Sequence, residues 1–442
     1  MNSTTANSLK LGICGLGTVG RGTLSLLESN GVEISLRTGL PIEVIAVASR
    51  SLQPDSLPHI ANTGTDPFMV VNDPDVDVVI ETIGGLDVAF EVVKQALSSG
   101  KHVVTANKAL IAVRGGELIP IAEANNVILA FESAVAGGIP IIKALREGLA
   151  ANKINWLAGI INGTGNFILS EMAAKQRQFL DVLVEAQELG YAEADPTFDV
   201  EGIDAAHKLT IMASIAFGIP LQFEKTYTEG ISQITPEDIG YAKELGYTIK
   251  HLGIARLVEA GVEMRVHPTL ISNKELLANV NGVGNAILVN GNAVGSTLYN
   301  GAGAGADATA SSVVADVIDI ARYQVAGMEK PAIATLGYLE PYKNVPVLKI
   351  EDIRSEYYLR IFAKDRVGVM ANISKILQSH DISIEAVIQK EAISENVPIV
   401  ILTHNALEKQ LNGAIAEIEQ LDDVQDSIAR IRLETFDDEG GS

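Results

Sequence analysis

Across the first 150 residues, short apolar runs alternate with longer stretches in which apolar residues recur at helical spacing. LKLGIC opens the series and leads into a helical pattern through Leu24, Leu26 and Leu27. IEVIAVASRS at 42–51 and DVDVVIETIGG at 75–85 are the next apolar runs, the second ending in a glycine-rich loop. LDVAFEVVKQALSSG reads as a helix closed by Gly100, KHVVTANKAL brings another strand, and NVILAFESAVAGGIP a further one. Buried strands alternating with helices in this way predict an α/β fold over residues 1–150, a doubly wound parallel sheet whose ligands sit at the carboxyl ends of its strands.

After residue 150 the pattern changes, and residues 151–304 read as an α+β substrate domain. The strand WLAGII runs into NGTGNFIL at 162–169, and GYAEADPTFDVEGIDAAHKL follows at 190–209. Pro196 forbids helix before it, whereas the spacing of Val200, Ile203, Leu209 and Ile211 predicts helix after it. That helix continues as the almost wholly apolar LTIMASIAFGIP and is therefore buried. A glycine run opens another helix at about 305–325. From Gly327 to Asp352, with Pro331, Pro341 and Pro346 and little periodicity, the chain reads as a linker. Residues 353–434 then give strand, helix, two strands, helix and strand, the βαββαβ order of a ferredoxin-like sandwich, before an acidic tail at 435–442.

A length of 442 residues allows two or three domains with a sizeable core. The net charge of −22 argues against nucleic acid and against an anionic membrane surface. A single cysteine excludes a disulfide framework and any cysteine-based zinc site, which suits a reducing compartment. No basic and apolar leader and no uncharged run of membrane-spanning length is present, so the expectation is a soluble, cytoplasmic protein.

Three stretches carry chemistry. Gly15, Leu16, Gly17, Thr18, Val19 and Gly20 give G-x-G-x-x-G at a strand-to-helix junction. Glycines there make a tight turn, let backbone approach a pyrophosphate and aim helix N-terminal amides at it, as in a Rossmann-type nucleotide-binding domain. The second strand ends in Ser49 and Arg50, where an NAD-specific site would carry an acid; a hydroxyl and a cation suit the 2′-phosphate of NADP, with NAD tolerated. Thr82, Ile83, Gly84, Thr105, Asn107 and Lys108 all fall at strand ends, although Lys108 alone would also pass for a surface lysine.

The second stretch, Glu132 to Ile139, is a loop of small residues whose carbonyls could converge on a hard cation or simply make a glycine turn. Asn162, Thr164 and Asn166, with two glycines, offer either ligand contacts or an ordinary turn. The third stretch crowds Glu193, Asp195, Asp199, Glu201 and Asp204 ahead of Lys208. Asp204 and Lys208, four apart, share one helix face. A solvated helix start would explain the acids, but charges at the mouth of a buried helix need another reason.

GLGTVG, TANKAL, ESAVAGGIP, NGTGNFIL, the 190–209 stretch and GAGAGADATASSVVADVI at 301–318, in this order, resemble homoserine dehydrogenase over roughly residues 9–325. The resemblance implies NAD(P)-dependent reversible interconversion of L-aspartate 4-semialdehyde and L-homoserine, within threonine, methionine and isoleucine biosynthesis. It places Lys208, Lys108 and Asp204 in catalysis, and Glu193, Asp199, Asp204, Thr164 and Tyr191 around the substrate. Lys108 and Gly305 match cofactor contacts, the helix after Gly305 returning to the nucleotide domain, and Glu132, Val135, Gly137 and Ile139 would hold a sodium ion, largely through carbonyls. Asp365, Arg366, Val367, Gly368 and Val369 followed by Asn372 resemble the ligand loop of ACT domains, small amino-acid sensors that act where two copies pair. An effector, L-threonine by this analogy, and a homodimer or homotetramer are the implied partners; a bare dimerisation module is the plainer alternative.

Those roles make chemical sense without the name. Hydride addition to an aldehyde leaves a developing alkoxide that needs a positioned donor or cation, which Lys208, oriented by Asp204, and Lys108 supply. Glu193 suits a substrate ammonium. Oxidation through a thioester would need a nucleophilic cysteine, and Cys14 lies inside the first strand. A nucleotide- and amino-acid-binding regulator without turnover would share the fold but would have no need of Glu193, Asp204, Lys208 and Lys108 together.

Overall fold

The computed structural model describes residues 8–53, 57–340, 344–389 and 396–436, so residues 437–442 of the acidic tail and 341–343 of the linker lie outside the described residues. Two compact units emerge, each assembled from separated stretches of chain. The first is Met1–Leu157, His207–Glu224 and Asn285–Val345; the second is Ala158–Ala206, Lys225–Gly284 and Pro346–Ser442.

A six-stranded parallel sheet organises the first unit. Its strands are β1 (Leu9–Cys14), β2 (Ile42–Ala48), β3 (Asn62–Gly64), β4 (Val78–Glu81), β5 (His102–Thr105) and β6 (Leu129–Ala130). They lie in the order β3-β2-β1-β4-β5-β6, two mononucleotide-binding halves that diverge between β1 and β4. Both faces are covered, which is why β1 and β4 are apolar apart from the half-buried Lys10 and the terminal Glu81. Helix Thr18–Thr38 packs one face together with helix Ala306–Val325, whose Val313, Val317 and Ile320 join Leu24 and Leu27 in one core. The two helices approach so closely that a Cβ at Gly22 would lie 2.8 Å from the Ala306 carbonyl oxygen.

One detail departs from the pattern expected of the sequence: the run after residue 127 gives only the two-residue β6 before a 3₁₀ turn at Glu132–Ala134. Pro140 then precedes a single α turn at Ile141–Lys143 that relaxes into a π turn at Ala144–Gly148.

In the second unit, strands Tyr247–Val258 and Gly261–Ser272 form an antiparallel hairpin. The C-terminal sandwich follows the expected element order through Arg354–Lys364, Val369–Ser379, Ile384–Gln389, Asn396–Leu407, Glu408–Ile418 and Val424–Glu434. Its fourth strand pairs with its first, the first with the third and the third with the second. Beyond the fourth strand the sheet continues into the hairpin, with Thr269–Ile271 running parallel to Arg432–Glu434. Arg265 and Arg432, both 0% exposed, neutralise the acids gathered along that seam. Arg265 meets Glu434 at 2.5 Å and Glu263 at 3.2 Å, while Arg432 meets Glu408 and, at 2.8 Å, Glu229. Buried guanidinium groups are tolerated only when so fully paired.

The acidic stretch forms a turn at Thr197–Val200, breaks at Gly202, and resumes as helix Ile203–Phe217. The break needs glycine, because φ there is +82° and a Cβ would meet Val266 at 3.0 Å and His251 at 3.2 Å. From 327 to 352 the described chain has turns, a bridge between Val347 and Val262, and one 3₁₀ turn at Ile350–Asp352. Among the described residues, no helix is long and apolar enough to cross a membrane.

Candidate active site

Gly15, Leu16, Gly17, Arg50, Thr82 and Ile83 line one cleft of about 790 Å³ at the carboxyl ends of β1, β2 and β4. Each glycine of the turn has its own reason. Gly15 has φ +104° and a Cβ there would come within 2.6 Å of the Thr82 carbonyl oxygen; one at Gly20 would fall 2.0 Å from the Gly15 oxygen. At Gly17 the space is open, and this residue caps helix Thr18–Thr38 without a side chain, leaving the first amides available for an anion. Thr82 ties the β4 end to the turn by donating to the Gly15 carbonyl at 2.8 Å. Lys108 is the first residue of helix Lys108–Ala124, capped by Asn107, whose Oδ1 accepts from the Leu110 amide at 3.1 Å. Gly305, at φ +118°, precedes helix Ala306–Val325 with open space where a Cβ would stand.

Within the second unit the polar residues converge on Asn162. Its Oδ1 accepts from the Gly165 amide and caps helix Gly163–Lys175, so its Nδ2 points the other way and donates to Asp199 at 2.8 Å and to Asp204 at 2.9 Å. One amide thus holds two carboxylates side by side. Thr164 donates to the Tyr191 carbonyl at 2.6 Å, and the Tyr191 ring stands edge-on to Phe167. Glu193 is exposed. Asp204 and Lys208, one turn apart on helix Ile203–Phe217, are 3% and 8% exposed, which removes the solvated-surface reading of this helix start.

In the loop before Ile141, Ala136 and Gly137 take φ of +56° and +52°, and every residue from Ala134 to Gly137 is buried. The Glu132 carboxylate is engaged by the amides of Ile142 and Lys143, both at 2.8 Å, and the Gly137 carbonyl accepts from Ser312 at 2.6 Å. In the sandwich, Gly368 at φ +97° caps helix Val369–Ser379, and Asp365, Gly368 and Asn372 are exposed while Val369 is buried.

Two residues central to this geometry escape a reading of the sequence alone. Glu81, 0% exposed at the end of β4, binds the loop that lines the cleft; an acid ending the run VVIE is the available sign. His251 is buried beside Gly165 and Gly202 with Nε2 against the Glu229 carbonyl at 3.0 Å, and burial draws its pKa down to about 4, leaving a neutral ring. Nothing in the local sequence marks it.

A sheet that diverges between β1 and β4, a glycine turn there, and a separate helix carrying buried Asp204 and Lys208 define a nicotinamide-dependent oxidoreductase with an added ferredoxin-like sandwich. Family models match in that order: the homoserine dehydrogenase NAD-binding domain over 15–132, homoserine dehydrogenase over 140–318 and the ACT domain over 357–423. A homoserine dehydrogenase of Pseudomonas aeruginosa is 58% identical across 96% of this chain and 99% of its own length, and one of Neisseria gonorrhoeae is 52% identical across 97% and 99%. The crystal structure of a homoserine dehydrogenase from Thiobacillus denitrificans superposes with a TM-score of 0.93 at 56% identity, covering 97% of this chain and 99% of that one. A hyperthermophilic archaeal homoserine dehydrogenase in complex with NADPH superposes at 0.61 and 27% identity, covering 73% and 99%. The chain belongs to the homoserine dehydrogenase family, and a binding protein without turnover is not the favoured reading.

Proposed function

We infer that Lys208 and Lys108 serve the reacting oxygen in the interconversion of L-aspartate 4-semialdehyde and L-homoserine. The observation that carries this is the convergence of Asp199 and Asp204 on Asn162 at the mouth of the helix that buries Lys208. Bound NADPH supplies the hydride for the aldehyde carbon. Lys208 then donates a proton or a charge-assisted hydrogen bond to the developing alkoxide, and Lys108 adds positive charge. Asp204, held by Asn162, orients Lys208; Glu193 and Asp199 meet the substrate ammonium, with Thr164 and Tyr191 shaping the same region.

The preference for NADP rests on Arg50, which lines the cleft beyond β2 where an acid would favour NAD. Arg50→Ala should weaken NADP binding by about 1.5 to 3 kcal/mol, the worth of a hydrogen bond to a charged group, and leave NAD nearly untouched. Paired titrations of both cofactors check this; equal losses would remove Arg50 from the 2′-phosphate.

The oxygen-only loop at 132–139 suits sodium: its left-handed pair Ala136 and Gly137 turns successive carbonyls within a buried setting. Glu132, Val135, Gly137 and Ile139 would supply the carbonyls, and the ion would fix the loop rather than touch the reaction.

For the sandwich, the reading is an L-threonine sensor working through a coupling free energy of about 1 to 3 kcal/mol. Gly368 turns the chain at a helix N-terminus with open space beside it, and Asp365 and Asn372 stand exposed on either side for an ammonium or hydroxyl. Threonine should inhibit wild type, whereas Gly368→Asp, which adds a side chain at φ +97° and a negative charge, should abolish inhibition with basal turnover unchanged. Inhibition titrations decide it, and indifference of wild type to millimolar threonine would leave another amino acid or a dimerisation role. A cytoplasmic homodimer or homotetramer completes the reading, on the habit of ACT modules to pair.

A further inference from the structure

We propose that Glu81 is a positioning residue for hydride transfer, clamping the loop after β4 and the start of the Lys108 helix into one rigid piece. β4 opens the second mononucleotide half of the sheet, so the loop that follows it lies on the nicotinamide side of the phosphate turn. That loop, Thr82 to Gly85, lines the cleft, and its two glycines have φ of +77° and +72°, a backbone with little stiffness of its own.

Glu81 supplies the stiffness. One carboxylate oxygen accepts from the amides of Ile83 at 2.7 Å and Gly84 at 3.2 Å, and the other from the Thr105 hydroxyl at 2.5 Å. Thr105 Oγ1 in turn accepts from the Asn107 amide at 3.0 Å, and Asn107 Nδ2 donates back to the Gly85 carbonyl at 2.7 Å. The ring closes on itself: β4, its loop, the β5 end and the cap of helix Lys108–Ala124 share one carboxylate. Burial raises the Glu81 carboxyl above its ordinary range, and the donors from Thr105, Ile83 and Gly84 offset only part of that. A fully buried acid with one oxygen on the cofactor-lining loop and the other on Thr105 has no cation among these hydrogen bonds, so its role is to hold the two segments together.

Glu81→Ala should lower kcat by about a hundredfold, the cost of misplacing reacting groups by an ångström. NADPH affinity should stay close to wild type, because the phosphate turn and Arg50 do not bond to Glu81, while the change in nicotinamide fluorescence on binding should shrink toward the free-cofactor signal. Glu81→Gln keeps an oxygen for the two amides and offers an N–H to Thr105, so it should recover most of the rate; Thr105→Val should show the alanine pattern more weakly. Wild-type kcat in Glu81→Ala would overturn the proposal. So would a joint fall of kcat, NADPH affinity and unfolding midpoint in which glutamine does no better than alanine. Should the alanine variant fail to fold, Glu81→Gln and Thr105→Val decide between these outcomes by the same readouts. The Lys108 half rests on the role assigned to that lysine above: if Lys108→Ala turns over normally while Glu81→Ala loses rate and fluorescence change, that role fails and the clamp stands.

Discussion

Replacing Lys208 by alanine should cost turnover about a hundredfold to a thousandfold, the usual loss when one group stabilising transition-state charge is removed. The side chain is only 8% exposed, so its ammonium is held in surroundings where a charge acts more strongly than in water. It is carried on a fifteen-residue helix rather than a loop, which fixes its position. Cofactor affinity should be unchanged, because none of the residues lining the nucleotide cleft comes from that helix. Steady-state rates and NADPH titration of the same preparation separate the two effects. Asp204→Asn should show a smaller loss, since Asn162 still holds the residue in place while the charge proposed to orient Lys208 is gone. Near-normal turnover in Lys208→Ala would remove the lysine from the reaction.

The largest effect on stability is expected at Asp238. This residue, 1% exposed, belongs to a capping box with Thr235 at the start of helix Pro236–Glu244. It also receives Arg360 at 2.7 and 2.9 Å and the Tyr358 hydroxyl at 3.0 Å, both from the first strand of the sandwich. Asp238→Ala leaves a buried guanidinium without its partner, a change that costs about 3 to 5 kcal/mol. Asp238→Leu combined with Arg360→Met should recover much of that, because apolar replacement of both partners removes the uncompensated charge. Burial works against ionisation of Asp238, but Arg360 outweighs it and holds the carboxyl below its ordinary value of 3.8. The pair's stabilisation is therefore complete at neutral pH and is lost as pH falls below about 4. Urea unfolding of the single and double variants at neutral and acidic pH measures both statements; a single variant as stable as wild type would contradict them.

Much of this molecule is legible in its sequence, and the reason is local. Parallel strands buried on both faces, such as β1 and β4, read as apolar runs interrupted only by Lys10 and closed by Glu81, and the spacing of Gly15, Gly17 and Gly20 marks a tight strand-to-helix turn, although the contact that demands Gly15 is with distant Thr82. The sandwich is equally legible, since its alternation of elements is short-range. Long-range polar contacts are not. Glu81 looks like the end of a strand until Thr105 and the 83–84 amides close around it. The seam of Arg265 and Arg432 joins residues more than a hundred and fifty positions apart. Asn162 can be picked out as a polar residue near glycines, but its service to Asp199 and Asp204 together depends on a fold that brings 162 to 204. The 247–272 hairpin is easily passed over because polar and charged residues such as Lys250, His251, Glu263 and Arg265 interrupt its apolar pattern; Lys250, His251 and Arg265 are buried against partners outside the hairpin, and Glu263 against Arg265.

The proposed mechanism centres on Lys208, buried on the same helix as the asparagine-held Asp204, as the group that serves the reduction of an aldehyde by a hydride from bound NADPH. The most direct test is the oxidation of NADPH by L-aspartate 4-semialdehyde, followed at the nicotinamide band for wild type and Lys208→Ala at matched, saturating cofactor. The expected result is substrate-dependent loss of absorbance in wild type and a rate lower by about a hundredfold or more in the variant. Equal rates for the two proteins, or no substrate-dependent change in wild type, would contradict it.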